Sequence, residues 1–234
     1  MANYLIEFRL RGFAKKYAQE LIREIGRKFR VKGMKDKVSH ITLYGKFTTN
    51  NERKMVSEVL GVCRKYSRIY FSIKGVNYFN NPSNKVLYLE INPSEDFKKF
   101  REELSFRLKP FTKTESKEDR KNKENFIFHS TIAFKDIDYK FNQILSHLKS
   151  KNHPKIRQTL LRTTILKNGK ILYEYDFLLR KLLDRKQSLN KQIFRETIRR
   201  LKQQPTSQKV FSNQIKQSKE MTIFDKIKSF FGVK

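Results

Sequence analysis

The sequence has a single cysteine and no long apolar run. Cys63 cannot form a disulfide within the chain, and its apolar position in a helical pattern predicts a buried small side chain in the reducing cytosol. No stretch approaches the roughly 20 apolar residues that a membrane-spanning helix needs. The first ten residues, "MANYLIEFRL", alternate apolar and charged residues and lack the apolar run of a signal peptide. We therefore expect a cytoplasmic protein.

Acidic residues are also scarce. The 234 residues include 53 Lys and Arg but only 23 Asp and Glu, a net charge of +30. Residues 1–183 hold 40 basic and 19 acidic residues, and residues 184–234 hold 13 and 4, so both parts are basic. A field of this sign attracts polyanions, and phosphates are the commonest ones in cells. A solvated Lys-rich surface without a partner is the alternative that composition leaves open.

Apolar residues recur with periods of two and of 3.6, which predicts a mixture of strands and helices. The turn "KNG" at 167–169 predicts a hairpin, and the elements do not follow a strict βαβ alternation. These features favour an α+β fold of antiparallel sheets with outer helices. The predicted strands lie near 5–10, 38–44, 68–74, 76–79, 85–91, 126–134, 158–166 and 171–179, and the helices near 14–29, 51–66, 95–108 and 138–149.

Two segments stand apart from this pattern. Residues 112–125 contain no apolar side chain, which predicts an exposed, mobile loop. Residues 184–234 form a basic extension with a predicted helix over 184–203, closed by Pro205. Its last part, 220–234, is amphipathic and could pack on the body, dock on a protein partner or lie on an anionic membrane surface. We therefore predict a body over 1–183 and an extension over 184–234.

Two of the four histidines occur in the same short pattern. Residues 40–43 read "HITL" and residues 129–132 read "HSTI", each inside an apolar stretch. Side chains two apart on a strand share a face, so each strand is predicted to present an imidazole beside the hydroxyl of a threonine. Residues 1–180 also repeat the order of strand, helix and hairpin around each pattern, which suggests two related lobes.

Two imidazoles can act as a general base and a general acid near neutral pH. A phosphodiester beside a ribose hydroxyl, or a 2′,3′-cyclic phosphate, is a substrate for which such a pair is sufficient. A lone histidine in a strand is more often structural, and a metal site would need further ligands that neither strand supplies. His147 and His153 lie outside the repeated pattern, and we expect them to be structural.

The ordered pair of patterns resembles the two HxTx signatures of the 2H phosphoesterase superfamily, especially its 2′,5′ RNA ligase and RNA 2′,3′-cyclic phosphodiesterase branch. The segments "VNYFNNPSNKVLYLEI" and "LRTTILKNGKILYEYDFLL" resemble the strand pairs that this family places between and after the signatures. The resemblance covers about residues 1–180. It implies a bilobal, pseudo-twofold α+β fold in which the two signatures face each other across a groove.

The resemblance also implies the chemistry. His40 and His129 would be the catalytic acid and base, in an order left open, and Thr42 and Thr131 would hold the phosphoryl oxygens. The reaction would need no metal or other cofactor, and the partner would be RNA or a cyclic nucleotide bound by a monomer. Formation of 2′,5′ linkages, the reverse reaction, stays open. So does a different class of function, an RNA-binding scaffold whose basic tail is the active part.

The sequence does not decide which other side chains touch the substrate. Arg9, Arg162, Tyr44 and the lysines of the loop at 112–125 are the candidates.

Overall fold

The structure is a computed structural model that describes residues 1–81, 84–116, 119 and 126–203. The chain divides into two compact units, residues 1–190 and 191–234. The strands of the described residues are β1 Tyr4–Arg9, β2 His40–Thr48, β3 Tyr70–Asn81, β4 Asn84–Pro93, β5 Lys113–Thr114, β6 His129–Phe134, β7 Ile156–Thr159, β8 Arg162–Lys167, β9 Lys170–Asp176 and β10 Lys181–Asp184. Their α-helices are α1 Gly12–Phe29, α2 Glu52–Lys65, α3 Glu95–Leu108, α4 Phe141–Lys149, α5 Arg185–Leu189 and α6 Lys191–Gln203.

The strands form two antiparallel sheets in the first unit. Sheet I has the order β10-β9-β8-β1-β2-β5, and sheet II has the order β6-β4-β3-β7. Each sheet contains one of the two motif strands, since β2 belongs to sheet I and β6 to sheet II. The predicted α+β fold of antiparallel sheets and packed helices is therefore confirmed.

The hairpin between β8 and β9 forms where the sequence predicts it. Asn168 and Gly169 adopt positive φ angles of 49° and 76°, the conformation that a two-residue type I′ turn requires. Asparagine and glycine tolerate this region far better than other residues. The hairpin places β8 beside β1 at the centre of sheet I.

The division into strands differs from the sequence prediction at two places. The strands predicted at 68–74 and 76–79 are one strand, β3, because Gly75 sits at an irregularity in the β3–β4 register instead of ending the strand. A bulge can insert a residue without ending the ladder. The single strand predicted at 158–166 is instead two strands, since β7 pairs in sheet II and β8 pairs in sheet I.

Local capping explains where α2 and α3 begin. The Asn51 side chain accepts a hydrogen bond from the Lys54 N–H at 2.9 Å at the start of α2. The Ser94 hydroxyl accepts one from the Phe97 N–H at 3.2 Å at the start of α3. The helices then bury apolar faces at helical spacing, as on α1 with Ala14, Ala18, Leu21 and Ile25.

The loop predicted to be exposed is partly built into the body. Lys113 and Thr114 form β5 on the edge of β2. Asp119 is 1% exposed, forms an ion pair with the buried Arg101 of α3 and accepts a hydrogen bond from the Gly45 N–H at 2.8 Å. The prediction of exposure is thus wrong at Asp119, because its charge is neutralised and hydrogen-bonded in place. The rest of that loop, 117–118 and 120–125, lies outside the described residues.

The single helix predicted over 184–203 is two helices, α5 and α6, because Asp184 ends β10 and Asn190 interrupts the helical backbone. Asp184 and Gln187 form a reciprocal capping box at the start of α5, which belongs to the first unit. In α6, Glu196 accepts hydrogen bonds from Arg199 and Arg200. No helix among the described residues has the length and apolar character needed to cross a membrane. The amphipathic stretch predicted at 220–234 lies outside the described residues.

Candidate functional site

The two motif strands expose the same faces. In β2, His40 and Thr42 are partly exposed while Ile41 and Leu43 are buried. In β6, His129 and Thr131 are partly exposed while Ser130 and Ile132 are buried. Each imidazole therefore shares a strand face with its threonine hydroxyl, as the two-residue period requires.

The two motif strands also come close to each other, although they belong to different sheets. Several Cα atoms of β2 lie within 8 Å of Cα atoms of β6. A hydrogen-bonded clamp joins the segments next to them, because the Asp136 carboxylate accepts the N–H groups of Lys32 at 2.6 Å and Gly33 at 3.0 Å. The chain before β2 is thereby fixed to the chain after β6.

The clamp depends on close backbone contact and on a charged carboxylate. A Cβ atom on Gly33 would lie 2.1 Å from the Phe134 carbonyl oxygen, so only glycine fits without displacement. Burial by itself raises the pKa of the Asp136 carboxyl, but the N–H groups of Lys32 and Gly33 together lower that pKa below its usual value. The clamp therefore holds Asp136 in its ionised form.

Both histidines make the same hydrogen bond. His40 Nδ1 lies 2.8 Å from the Val38 carbonyl oxygen, and His129 Nδ1 lies 2.8 Å from the Ile127 carbonyl oxygen. A carbonyl oxygen only accepts, so each Nδ1 carries the hydrogen and donates it. In the neutral ring, Nε2 is then the basic nitrogen. Each imidazole is thus fixed in orientation and tautomer by the carbonyl two residues earlier, in the segment that leads into its strand.

The surroundings of the two rings differ. His40 Nδ1 lies 3.7 Å from Oε2 of Glu7, a carboxylate that is 2% exposed and also accepts a hydrogen bond from Arg9 Nε at 2.6 Å. His129 instead contacts aromatic rings, with its centroid 5.0 Å from that of Phe79 and 5.3 Å from that of Tyr88. One imidazole therefore borders a carboxylate and the other borders an aromatic pair.

Sequence reasoning missed these neighbours. Glu7 pairs with Thr42 across β1 and β2, and Tyr88 pairs with Thr131 across β4 and β6. Directly paired residues project from the same face, so both side chains lie on the faces that carry the motifs. The only signal in the sequence is that Glu7 and Arg9 fall on the polar side of β1, which does not say which strand lies beside them.

Two of the candidate substrate-contacting residues are buried. Tyr44 is 0% exposed, and its hydroxyl is hydrogen-bonded to the Thr112 hydroxyl at 2.8 Å. Arg162 is 2% exposed and donates to Asp176, Glu174 and the Ser188 carbonyl. Both side chains therefore make their hydrogen bonds within the protein interior. Of the named candidates, Arg9 remains partly exposed beside the His40 site.

The other two histidines and the cysteine have structural surroundings. His147 Nε2 is 2.7 Å from a carboxylate oxygen of Glu24, which joins α4 to α1. His153 contacts the Tyr17 hydroxyl and the Leu148 carbonyl oxygen. Cys63 is fully buried, and burial raises its thiol pKa to about 12, so the thiolate form is disfavoured.

No group of three or more His, Cys, Asp or Glu side chains within the described residues is arranged to hold a metal ion. The metal-free reaction stays a prediction, for which a chelator provides the test.

Comparison with known families agrees with this geometry. A family model described as the 2′-5′ RNA ligase superfamily matches residues 14–170, which is about two thirds of the chain. The chain belongs to the 2′-5′ RNA ligase superfamily. The match spans both motif strands, so the family prediction made from their paired patterns is confirmed. No curated protein matches the sequence.

Two solved structures resemble this member of the superfamily. The first is Kluyveromyces marxianus Usb1 with uridine monophosphate, at 10% sequence identity and a TM-score of 0.45, covering 78% of this chain and 98% of that chain. The second is Kluyveromyces marxianus Usb1, at 11% identity and a TM-score of 0.40, covering 78% of this chain and 97% of that chain.

Proposed function

We propose that the protein is a metal-independent phosphodiesterase that opens 2′,3′-cyclic phosphate ends of RNA or nucleotides. The observation that carries the proposal is the matched pair of imidazoles. His40 and His129 sit on strands that come close together, and each has its Nδ1 hydrogen-bonded at 2.8 Å to the backbone carbonyl two residues earlier. Membership in the 2′-5′ RNA ligase superfamily supports the same reading.

The reaction needs one neutral and one protonated imidazole. Nε2 of the neutral histidine removes a proton from water, and the water oxygen bonds to phosphorus. The bond between phosphorus and the 3′-oxygen breaks, and Nε2–H of the protonated histidine gives its proton to that oxygen. A 2′-phosphate and a free 3′-hydroxyl result. Which of His40 and His129 is the base and which is the acid depends on the direction of the reaction.

Thr42 and Thr131 are placed to stabilise the developing charge. Each hydroxyl shares a strand face with its histidine two residues away. A hydroxyl donor on a non-bridging oxygen is most valuable when the phosphorus is five-coordinate, because the negative charge on those oxygens is then largest. The basic surface, net +30 over the chain, concentrates the RNA substrate near the site.

The same residues catalyse 2′,5′ linkage formation when the 5′-hydroxyl of a second RNA takes the place of water. Its oxygen bonds to phosphorus, the bond between phosphorus and the 3′-oxygen breaks, and the protonated histidine gives its proton to that 3′-oxygen. The superfamily name refers to this 2′,5′ ligation. In dilute aqueous solution, water outcompetes a second RNA end, so we propose hydrolysis as the main direction.

The direct test is product analysis with a chelator present. An oligonucleotide ending in a 2′,3′-cyclic phosphate is incubated with the purified protein and EDTA, and the position of the phosphate is determined by mass spectrometry and selective phosphatase treatment. We expect full turnover to a 2′-phosphate. Turnover that EDTA abolishes, or no turnover of cyclic phosphate ends, would contradict the proposal.

A further inference from the structure

A cavity of about 430 Å³ lies next to the start of β6, and its lining includes Ile127 and Phe128, the two residues that precede His129. It falls within the volume range of small-molecule sites, about 300–1,000 Å³. Its position follows from the strand register, because Glu90 pairs with His129 and Tyr88 pairs with Thr131. Both side chains therefore share the face of the motif, and both line the cavity.

The lining of the cavity combines aromatic and aliphatic side chains with the polar side chains of Asn77, Glu90, Lys98, Arg101 and Glu102. Tyr88 lies on the strand side, Phe126 and Phe128 come from the segment that leads into β6, and Ile91 and Ile127 complete the apolar lining. Phe126 is held in place, since it stacks on the Arg101 guanidinium at 3.9 Å and meets Phe128 edge-on at 5.0 Å. Flat apolar walls of this kind suit the face of a nucleobase.

One carboxylate in the cavity is fixed and partly exposed. Glu90 Oε2 accepts a hydrogen bond from Asn77 Nδ2 at 3.2 Å, and the side-chain Oδ1 of Asn77 accepts the Tyr78 N–H at 2.8 Å. Asn77 is thus held at both ends and orients Glu90. The Lys74 ammonium lies 3.8 Å from Oε1, beyond hydrogen-bond distance. Each carboxylate oxygen has two lone pairs, so Glu90 keeps the capacity to accept from a ligand.

A carboxylate does not bind phosphate, so Glu90 must face a different part of the substrate. We propose that this cavity is a nucleobase subsite in which Glu90 selects bases that present adjacent N–H donors, guanine above all. The N1–H and N2–H groups of guanine match the two oxygens of one carboxylate. Adenine and cytosine offer one amino group each. Uracil places its single N–H between two carbonyl oxygens, which a carboxylate repels.

The proposal rests on the proposed function, because it assigns the base attached to the cyclic phosphate. The first experiment compares kcat/KM for 2′,3′-cyclic GMP and 2′,3′-cyclic UMP in the wild type, Glu90→Gln and Glu20→Gln. Glu20 is an exposed carboxylate on α1 that does not line the cavity, so its variant removes the same charge outside the proposed subsite. The wild type is expected to prefer guanosine by at least about tenfold.

Glu90→Gln replaces one acceptor oxygen by a donor and should bring the guanosine-to-uridine ratio close to one, mainly by slowing guanosine turnover. Glu20→Gln should keep the wild-type ratio. A wild-type ratio near one, or a ratio that Glu90→Gln leaves unchanged, would overturn the proposal. Equal slowing of both nucleotides by Glu90→Gln would also overturn it, since Glu90 would then act on His129 and not on the base.

A binding experiment separates this subsite from the catalytic proposal. Calorimetric titration with 2′-GMP and 2′-UMP reports base preference without turnover. Tighter binding of 2′-GMP that Glu90→Gln abolishes would support the subsite even if no cyclic phosphate is hydrolysed, in which case only the proposed function fails. Hydrolysis of all four cyclic nucleotides with equal binding of the two products would leave the proposed function standing and remove the subsite.

Discussion

Two histidines in this protein are oriented by the same hydrogen bond. The carbonyl two residues before each ring fixes Nδ1–H, so Nε2 is the nitrogen that can exchange protons. The threonine two residues after each ring lies on the same face. The pattern of His, any residue and Thr therefore has a physical meaning, because side chains two residues apart on a strand project from the same face.

The role of the threonine hydroxyls can be tested by substitution. Thr42→Val removes the hydroxyl but keeps the volume and the strand preference, so it should lower kcat by about 100-fold, as loss of a transition-state donor does. Steady-state kinetics on a cyclic nucleotide would measure the change.

Thr48→Val is the matched control. Thr48 is a partly exposed threonine at the other end of β2, so its variant should retain wild-type kinetics. Equal kinetics for the wild type and Thr42→Val would show that the hydroxyl does not contact the phosphoryl group.

The sequence predicts the four motif residues because their relation is local. It does not predict Glu7 beside His40, since that contact depends on how β1 registers against β2, or the burial of Asp119, whose partner Arg101 lies on α3. Charged residues are normally expected at the surface. The ion pair between Asp119 and Arg101 overrides this expectation. A single sequence does not show which residues far apart in the chain will pair.

At the level of secondary-structure elements, the clamp at Asp136 joins the segment before β2 to the segment after β6. Lys32 and Gly33 precede the first motif strand, and Asp136 follows the second. Periodicity and capping residues predict most helices and strands within a few residues. Gly75 shows why some boundaries differ, since a glycine can mark a bulge within a strand as well as a turn between strands.

Gly33→Ala should destabilise the fold by about 1–3 kcal/mol, because the added Cβ would meet the Phe134 carbonyl oxygen at 2.1 Å. Urea unfolding followed by circular dichroism would measure the free energy of unfolding. The change should also lower activity, since the clamp links the two motif strands.

Gly61→Ala provides the control for that substitution. Gly61 lies within α2, and a Cβ there meets no atom within 4 Å. Alanine at this position should raise the free energy of unfolding by about 0.5–1 kcal/mol through helix propensity. Equal stability of Gly33→Ala and the wild type would mean that the loop before β2 yields easily and does not act as a clamp.

At the scale of the whole molecule, the protein combines a two-sheet body with a basic C-terminal part. The predicted boundary at 184 stays a prediction, but the first compact unit extends to residue 190. Within that unit the Ser188 carbonyl oxygen accepts a hydrogen bond from the buried Arg162 at 3.2 Å. A truncation that separates body from extension is therefore best made after Asn190.

Deletion of residues 191–234 should leave kcat/KM for a cyclic mononucleotide within about twofold, since the motif strands lie in the first unit. It should weaken binding of a longer single-stranded RNA and make that binding less sensitive to salt, because basic side chains that displace counterions are lost. Fluorescence anisotropy at several salt concentrations would measure both effects. Loss of mononucleotide turnover would instead favour a function carried by the extension.

We propose that His40 and His129 act as one acid and base pair. The most direct measurement is kcat on a 2′,3′-cyclic nucleotide for His40→Ala, His129→Ala and the double variant, with His147→Ala as control. His147 joins α1 and α4 through Glu24 and should be replaceable without loss of rate.

Each single variant should lose about 10²–10⁴-fold in kcat while retaining the circular dichroism spectrum. The double variant should be little slower than either single one, because residues that act as a unit are not additive. Full activity in either single variant would show that the replaced histidine is not part of the catalytic pair. A double variant slowed by the product of the two single effects would show that the two histidines act independently.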